Sequence, residues 1–95
     1  MRNFEEQEAL RKKILSRLKR IEGQVRGIQK MIEAGKECED ILVQVRAVRS
    51  ALAAASGLIL RRYLSRCHEE ALAAGRDTPE SLEKFIRVMA NFMDH

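Results

Sequence analysis

Apolar residues recur at steps of three and four along most of this chain. Leu10, Ile14, Leu18, Ile21, Val25, Ile28 and Ile32 form one such series, the spacing of an amphipathic helix. It predicts a first helix over about 5–34. Asn3 stands where an N-cap would, Glu5 and Glu6 suit the positive end, and Gly35 is placed to stop it. Gly23 and Gly27 lie inside the pattern and cost helix stability, so close packing against a neighbour is expected there. A second series, Ile41, Val45, Val48, Leu52 and Ala55, is extended by Ile59, Tyr63 and Cys67. It predicts a long central helix over about 38–74, with Glu39 and Asp40 in its first turn and Gly75 after its end. Ser56-Gly57 is its weak point, but periodicity resumes beyond it and no Pro intervenes. A third helix is expected over about 79–93. Thr78 caps it, Pro79 takes the first position and Glu80 follows, while Leu82, Phe85, Ile86, Met89, Phe92 and Met93 supply a buried face. With no strand alternation, linker or repeat, residues 1–95 read as one all-α domain of three helices.

Composition changes this picture by showing what the helices lack. Three Phe, one Tyr and no Trp leave few large side chains to fill an interior, and charged residues, at 34%, leave wide polar faces. A chain of 95 residues built this way is expected to complete its core by oligomerising. The net charge of +4 is multiplied in every added subunit, which suits a polyanion such as DNA and also many ordinary proteins. No apolar run approaches the roughly 20 residues of a bilayer span, and the N-terminus lacks the core of a signal peptide. A cytoplasmic chain with no membrane partner is therefore expected. In that compartment a pair of cysteines more often binds metal or senses redox state than acts as a static staple.

Cys38 and Cys67 are the two cysteines, 29 residues apart. At about 100° per residue that spacing returns within about 20° of the same helix face, and at about 1.5 Å per residue it separates the thiols by roughly 43 Å. A disulfide needs Cα atoms within about 7 Å. One continuous helix cannot bring them together, but two copies laid antiparallel can, with Cys38 facing Cys67 of the partner subunit. The two-fold axis then passes between Leu52 and Ala53, amid the small residues 51–57. Cys38 opens the long helix, where unpaired backbone N–H groups stabilise a thiolate; Cys67 reads as its resolving partner, beside Arg62, Arg66 and His68.

Two thiolates are too few for a closed zinc site, though Cu(I) accepts fewer soft ligands. Tyr63, one turn before Cys67, is a poor ligand for a soft metal. His68 points about 100° away from Cys67, and His95 is the last residue. No resident cofactor is expected. Among the basic residues, Lys13, Arg17 and Arg20 form a stripe beside the apolar one. Lys19, Arg46 and Arg49 add to a set that could track phosphates on a symmetric oligomer. There is no Gly-rich phosphate loop, triad or purposeful carboxylate pair, so catalysis is not expected.

The stretch from Arg17 to Ile28, Glu37-Cys38 and the run from Gln44 to Leu52 resemble the signature of the CsoR/RcnR family of bacterial transcriptional repressors, over essentially the whole chain. The resemblance implies an all-α dimer of dimers. It further implies operator DNA bound by basic residues of the first two helices, here Lys13, Arg17, Lys19, Arg20, Arg46 and Arg49. The inducer site would lie between protomers at Cys38 and Cys67, with Glu37 and Tyr63 near it. Copper sensors of the family carry His four residues before the second Cys, where this chain has Tyr63. Two cysteines without that His look like the CstR branch, which senses sulfane sulfur. That likeness implies a Cys38 persulfide that Cys67 of the partner subunit converts to a disulfide or longer bridge, releasing DNA. The alternative is a Cu(I)-responsive repressor using the same two thiolates.

Overall fold

The computed structural model describes residues 2–73 and 79–93; the side chains of residues 2, 3, 67, 68, 70–73, 79–82 and 93 lie outside the description. Three helices follow one another: α1 (Arg2–Glu33), α2 (Cys38–Ala73) and α3 (Pro79–Met93). The expected all-α, three-helix chain is what forms. Its expected boundaries shift at one end. Helix α1 begins three residues early, so Asn3 sits inside it rather than capping it, because nothing between Arg2 and Glu6 breaks a helix. Thr78, Gly75 and His95 lie outside the described residues.

Helix α1 closes as its sequence requires. Gly35 takes φ +68°, a left-handed conformation that costs a side-chain-bearing residue energy. Around it the Lys36 N–H donates to the Met31 carbonyl (3.0 Å) and the Gly35 N–H to the Ile32 carbonyl (3.1 Å). These two bonds make a Schellman close and satisfy carbonyls that the helix end would leave orphaned. The chain turns within two further residues, and the Glu37 carbonyl accepts from the N–H groups of Asp40 (3.1 Å) and Ile41 (3.2 Å). Glu37 is thus the N-cap of α2, and Cys38 is its first helical residue. A connection this short pairs α1 with α2 as an αα-hairpin.

Helix α2 runs unbroken through Ser56-Gly57, so the point of expected weakness holds. By contacts the chain forms two compact units, Met1–Leu60 and Arg61–His95, with the boundary inside α2. In the first unit Ile14, Ile21 and Ala55 are buried. The apolar stripes are therefore covered only at their centres: Val25, Ile32, Leu52 and Ile59, expected in the core, are 43–60% exposed. Two helices can shield only one flank of each other's stripe, and the other flank waits for a partner. In the second unit Phe85, Val88 and Met89 are half-buried, whereas Ile86 and Phe92, expected on the buried face of α3, are exposed.

The span Cys38–Arg66 is long and apolar enough to cross a bilayer by length and composition, with a mean hydropathy of 1.3. This corrects the expectation that no stretch approaches that length; small Ala and branched residues raise its hydropathy without making it uniformly apolar. It also carries Arg46, Arg49, Arg61 and Arg62, each costly in hydrocarbon.

Candidate thiol site and basic groove

Local geometry puts Cys38 at the start of α2, exposed and in no disulfide. Glu37 before it, with Glu39 and Asp40 after it, makes this turn acidic. The thiol thus stands between a positive helix end and its own carboxylate neighbours. Tyr63 is half-buried on the same helix. Cys67 is a residue of α2 as expected, and its side chain and that of His68 lie outside the description. Among the described residues no group of three His, Cys, Asp or Glu gathers to hold a metal ion. The site built around Cys38 is incomplete in one chain.

A second constellation is complete. Between α1 and the middle of α2 lies a groove of about 480 Å³ lined by Lys13, Ser16, Arg17, Arg20, Ile21, Gln24 and Ala51. Lys13, Arg17, Arg20 and Gln24 follow one another at steps of four, three and four, so they share one ridge of α1. Ala51 faces them from α2 with only a methyl group, which leaves the groove open. None of the three cations is in an ion pair among the described residues. By contrast Arg11 pairs with Glu8 (3.7 Å) and Arg26 with Glu22 (3.6 Å) along α1, in exposed geometries that contribute little.

The structure thus brings Lys13, Arg17 and Arg20 together and sets the other basic candidates apart. Lys19 is two steps from Arg17, about 200° around the helix, and lines a different depression with Lys12, Leu15, Ser16, Leu18 and Glu22. Arg46 and Arg49 are exposed on α2 and line neither depression. Gln24 and Ser16 were missed by sequence reasoning because neutral side chains in a basic stripe carry no signal of their own. The regular spacing of Gln24 with the three cations was the available clue.

Glycines 23 and 27 do not pack against anything in the chain. A methyl group built on Gly23 would meet only the Arg26 Nη2 at 3.9 Å, and one on Gly27 would meet nothing within 4 Å. The expected close neighbour is absent within the chain, since both positions lie on the face of α1 turned away from α2.

A helical hairpin with one exposed cysteine at a helix start and a cationic groove along its first helix is the framework of a thiol-bearing, polyanion-binding regulator. The sequence pattern of the metal-sensitive transcriptional repressors matches residues 10–91, and the chain belongs to that family. It is 40% identical to the copper-sensing transcriptional repressor CsoR of Bacillus subtilis over 79 residues, 83% of this chain and 77% of that protein. It is 51% identical to the copper-sensing transcriptional repressor RicR of Mycobacterium tuberculosis over 59 residues, 62% of each. Among solved structures it is similar to the copper-sensing repressor CsoR with Cu(I) from Geobacillus thermodenitrificans, with TM-score 0.74 and 41% identity over 86% of this chain and 84% of that one. The nickel-responsive regulator InrS is also similar, with TM-score 0.72 and 34% identity over 85% and 90%.

Proposed function

We propose that this chain is a cytoplasmic DNA-binding repressor. It acts as one domain within a homodimer that pairs into a homotetramer. Operator DNA is released when Cu(I) is taken by Cys38 of one subunit and Cys67 of its partner. The observation that carries the reading is the unbroken α2, which includes both cysteines. Residues 29 positions apart on one helix are separated by roughly 43 Å, so one chain cannot join its own thiols. Two chains laid antiparallel can, and the exposed Leu52 and Ile59 offer apolar surface where that pairing would occur. Thiolates suit a soft monovalent copper ion, and relatives named as copper sensors support the choice. The donor set fits Cu(I) as two thiolates from two subunits and fits a four-ligand zinc site poorly. Lys13, Arg17 and Arg20, with Lys19, Arg46 and Arg49, supply the charge that faces DNA.

Tyr63 favours a second reading, because its phenol stands where the family's copper sensors have a soft-metal-compatible imidazole. In that reading the Cys38 thiolate attacks the sulfane sulfur of an organic persulfide, forming a Cys38 persulfide and expelling a thiolate. The Cys67 thiolate of the partner subunit then attacks the Cys38 sulfur, forming a disulfide and expelling hydrosulfide. Glu37 and Tyr63 are the near neighbours that would shape either site.

One experiment separates the two. Anaerobic titration of the DNA-bound protein with Cu(I) is expected to give release at one equivalent per subunit, with release abolished in Cys38→Ser. Release by an organic persulfide, with intact mass spectrometry showing covalent dimers and no response to Cu(I), would overturn copper in favour of sulfur.

A further inference from the structure

The groove between α1 and α2 carries an inference that rests on the DNA-binding reading above. Its cations are unpaired, and its volume of about 480 Å³ is many times the roughly 30 Å³ share of a water molecule. Two neutral polar residues complete its wall, Ser16 and Gln24. The Gln24 Oε1 is buried and has no hydrogen-bond partner. A carboxamide turned by half a rotation exchanges Oε1 for Nε2 at the same place. The orphaned acceptor then becomes a donor aimed among three cations. That combination of several charges, a hydroxyl and an amide donor matches the oxygens of a phosphate group. Neutral side chains of these types supply many of the contacts proteins make to DNA phosphates. The linear ridge from Lys13 to Gln24, about 16 Å long, also matches a chain of phosphates better than a lone planar base.

We propose that this groove is a seat for a phosphate group of the DNA backbone, with Lys13, Arg17 and Arg20 supplying charge and Ser16 and Gln24 supplying neutral hydrogen bonds. Ile21 and Ala51 form the apolar part of the wall and keep the seat narrow. The seat lies wholly within the unit Met1–Leu60, so every subunit brings one. The phosphate group is the shared chemistry, and a free inorganic phosphate is its other source.

The test uses the full chain and a duplex selected by the wild-type protein from a random-sequence library. Gln24→Leu is expected to weaken DNA binding about tenfold with the salt slope unchanged, since no charge is removed. Lys13→Gln is expected to lower that slope by about 0.9. Unchanged DNA affinity in both Gln24→Leu and Ser16→Ala overturns the backbone assignment. In a separate arm, inorganic phosphate at constant ionic strength is added to the free protein. A rise in melting temperature in the wild type but not in Gln24→Leu, with DNA affinity unchanged, would assign the seat to free phosphate instead. If neither arm responds, the groove is no phosphate seat. Failure of the wild type to bind any duplex with steep salt dependence would sink the repressor reading itself, leaving the phosphate arm to judge the groove.

Discussion

The Lys36 N–H donates to the Met31 carbonyl at 3.0 Å across a glycine at φ +68°, and this bond sets where α2 begins. Because the close of α1 and the N-cap at Glu37 are only two residues apart, the turn fixes Cys38 as the first residue of α2. Gly35→Ala meets no steric obstacle, since nothing lies within 4 Å of the added methyl. It forces a side chain into the left-handed region, at a cost of about 1–2 kcal/mol. Urea denaturation is expected to show that loss, with a smaller one for Gly35→Asn.

The open surroundings of Gly23 and Gly27 lead to the opposite expectation. Gly23→Ala and Gly27→Ala should each stabilise α1 by about 1 kcal/mol, because a helix-favouring residue enters free space. Chemical denaturation measures this directly. A loss of stability that deepens on dilution would instead mean that another subunit packs against these positions.

The two-subunit site makes a prediction about mixtures. Cys38→Ser and Cys67→Ser proteins should each bind DNA and ignore the inducer. Unfolded and refolded together, they should form mixed dimers in which one of the two sites is whole. Inducer bound per subunit should then recover to about a quarter of the wild-type level, the share expected from random pairing with one intact site in each mixed dimer. Recovery absent from a mixture shown by mass spectrometry to contain mixed dimers would contradict a cross-subunit site.

Leu52 is 46% exposed although it continues the stripe that buries Ala55 completely. A charge there should prevent the pairing that hides it. Leu52→Glu is expected to sediment at lower mass than the wild type at micromolar concentration, and its melting temperature should become independent of protein concentration. A variant that keeps the wild-type mass would place the subunit contact elsewhere.

The helices and most of their ends were legible because they rest on local physics. Steps of three and four marked α1 and α2, Gly35 carried the close of α1, and Pro79 opened α3. Asn3 misled because a capping residue acts only if the helix starts there, and nothing upstream of Glu5 stopped α1. The thiol site was half legible. The position of Cys38 follows from neighbours within four residues, whereas its pairing with a second thiol depends on another chain. Gln24 was illegible, since an amide in a basic stripe gains meaning only from what lies opposite it.

Periodicity, caps and cysteine spacing, all properties of residues near one another or of one rigid helix, determined three helices and two thiols on a single rod. Packing decided the rest. Which flank of each stripe is covered, which cations share a groove, and whether a glycine has a neighbour depend on the pairing of α1 with α2 across many residues. Ala51 opposite Arg17 and Arg20 is the clearest instance: a methyl group that is unremarkable in sequence makes room for a groove because of where the other helix lies.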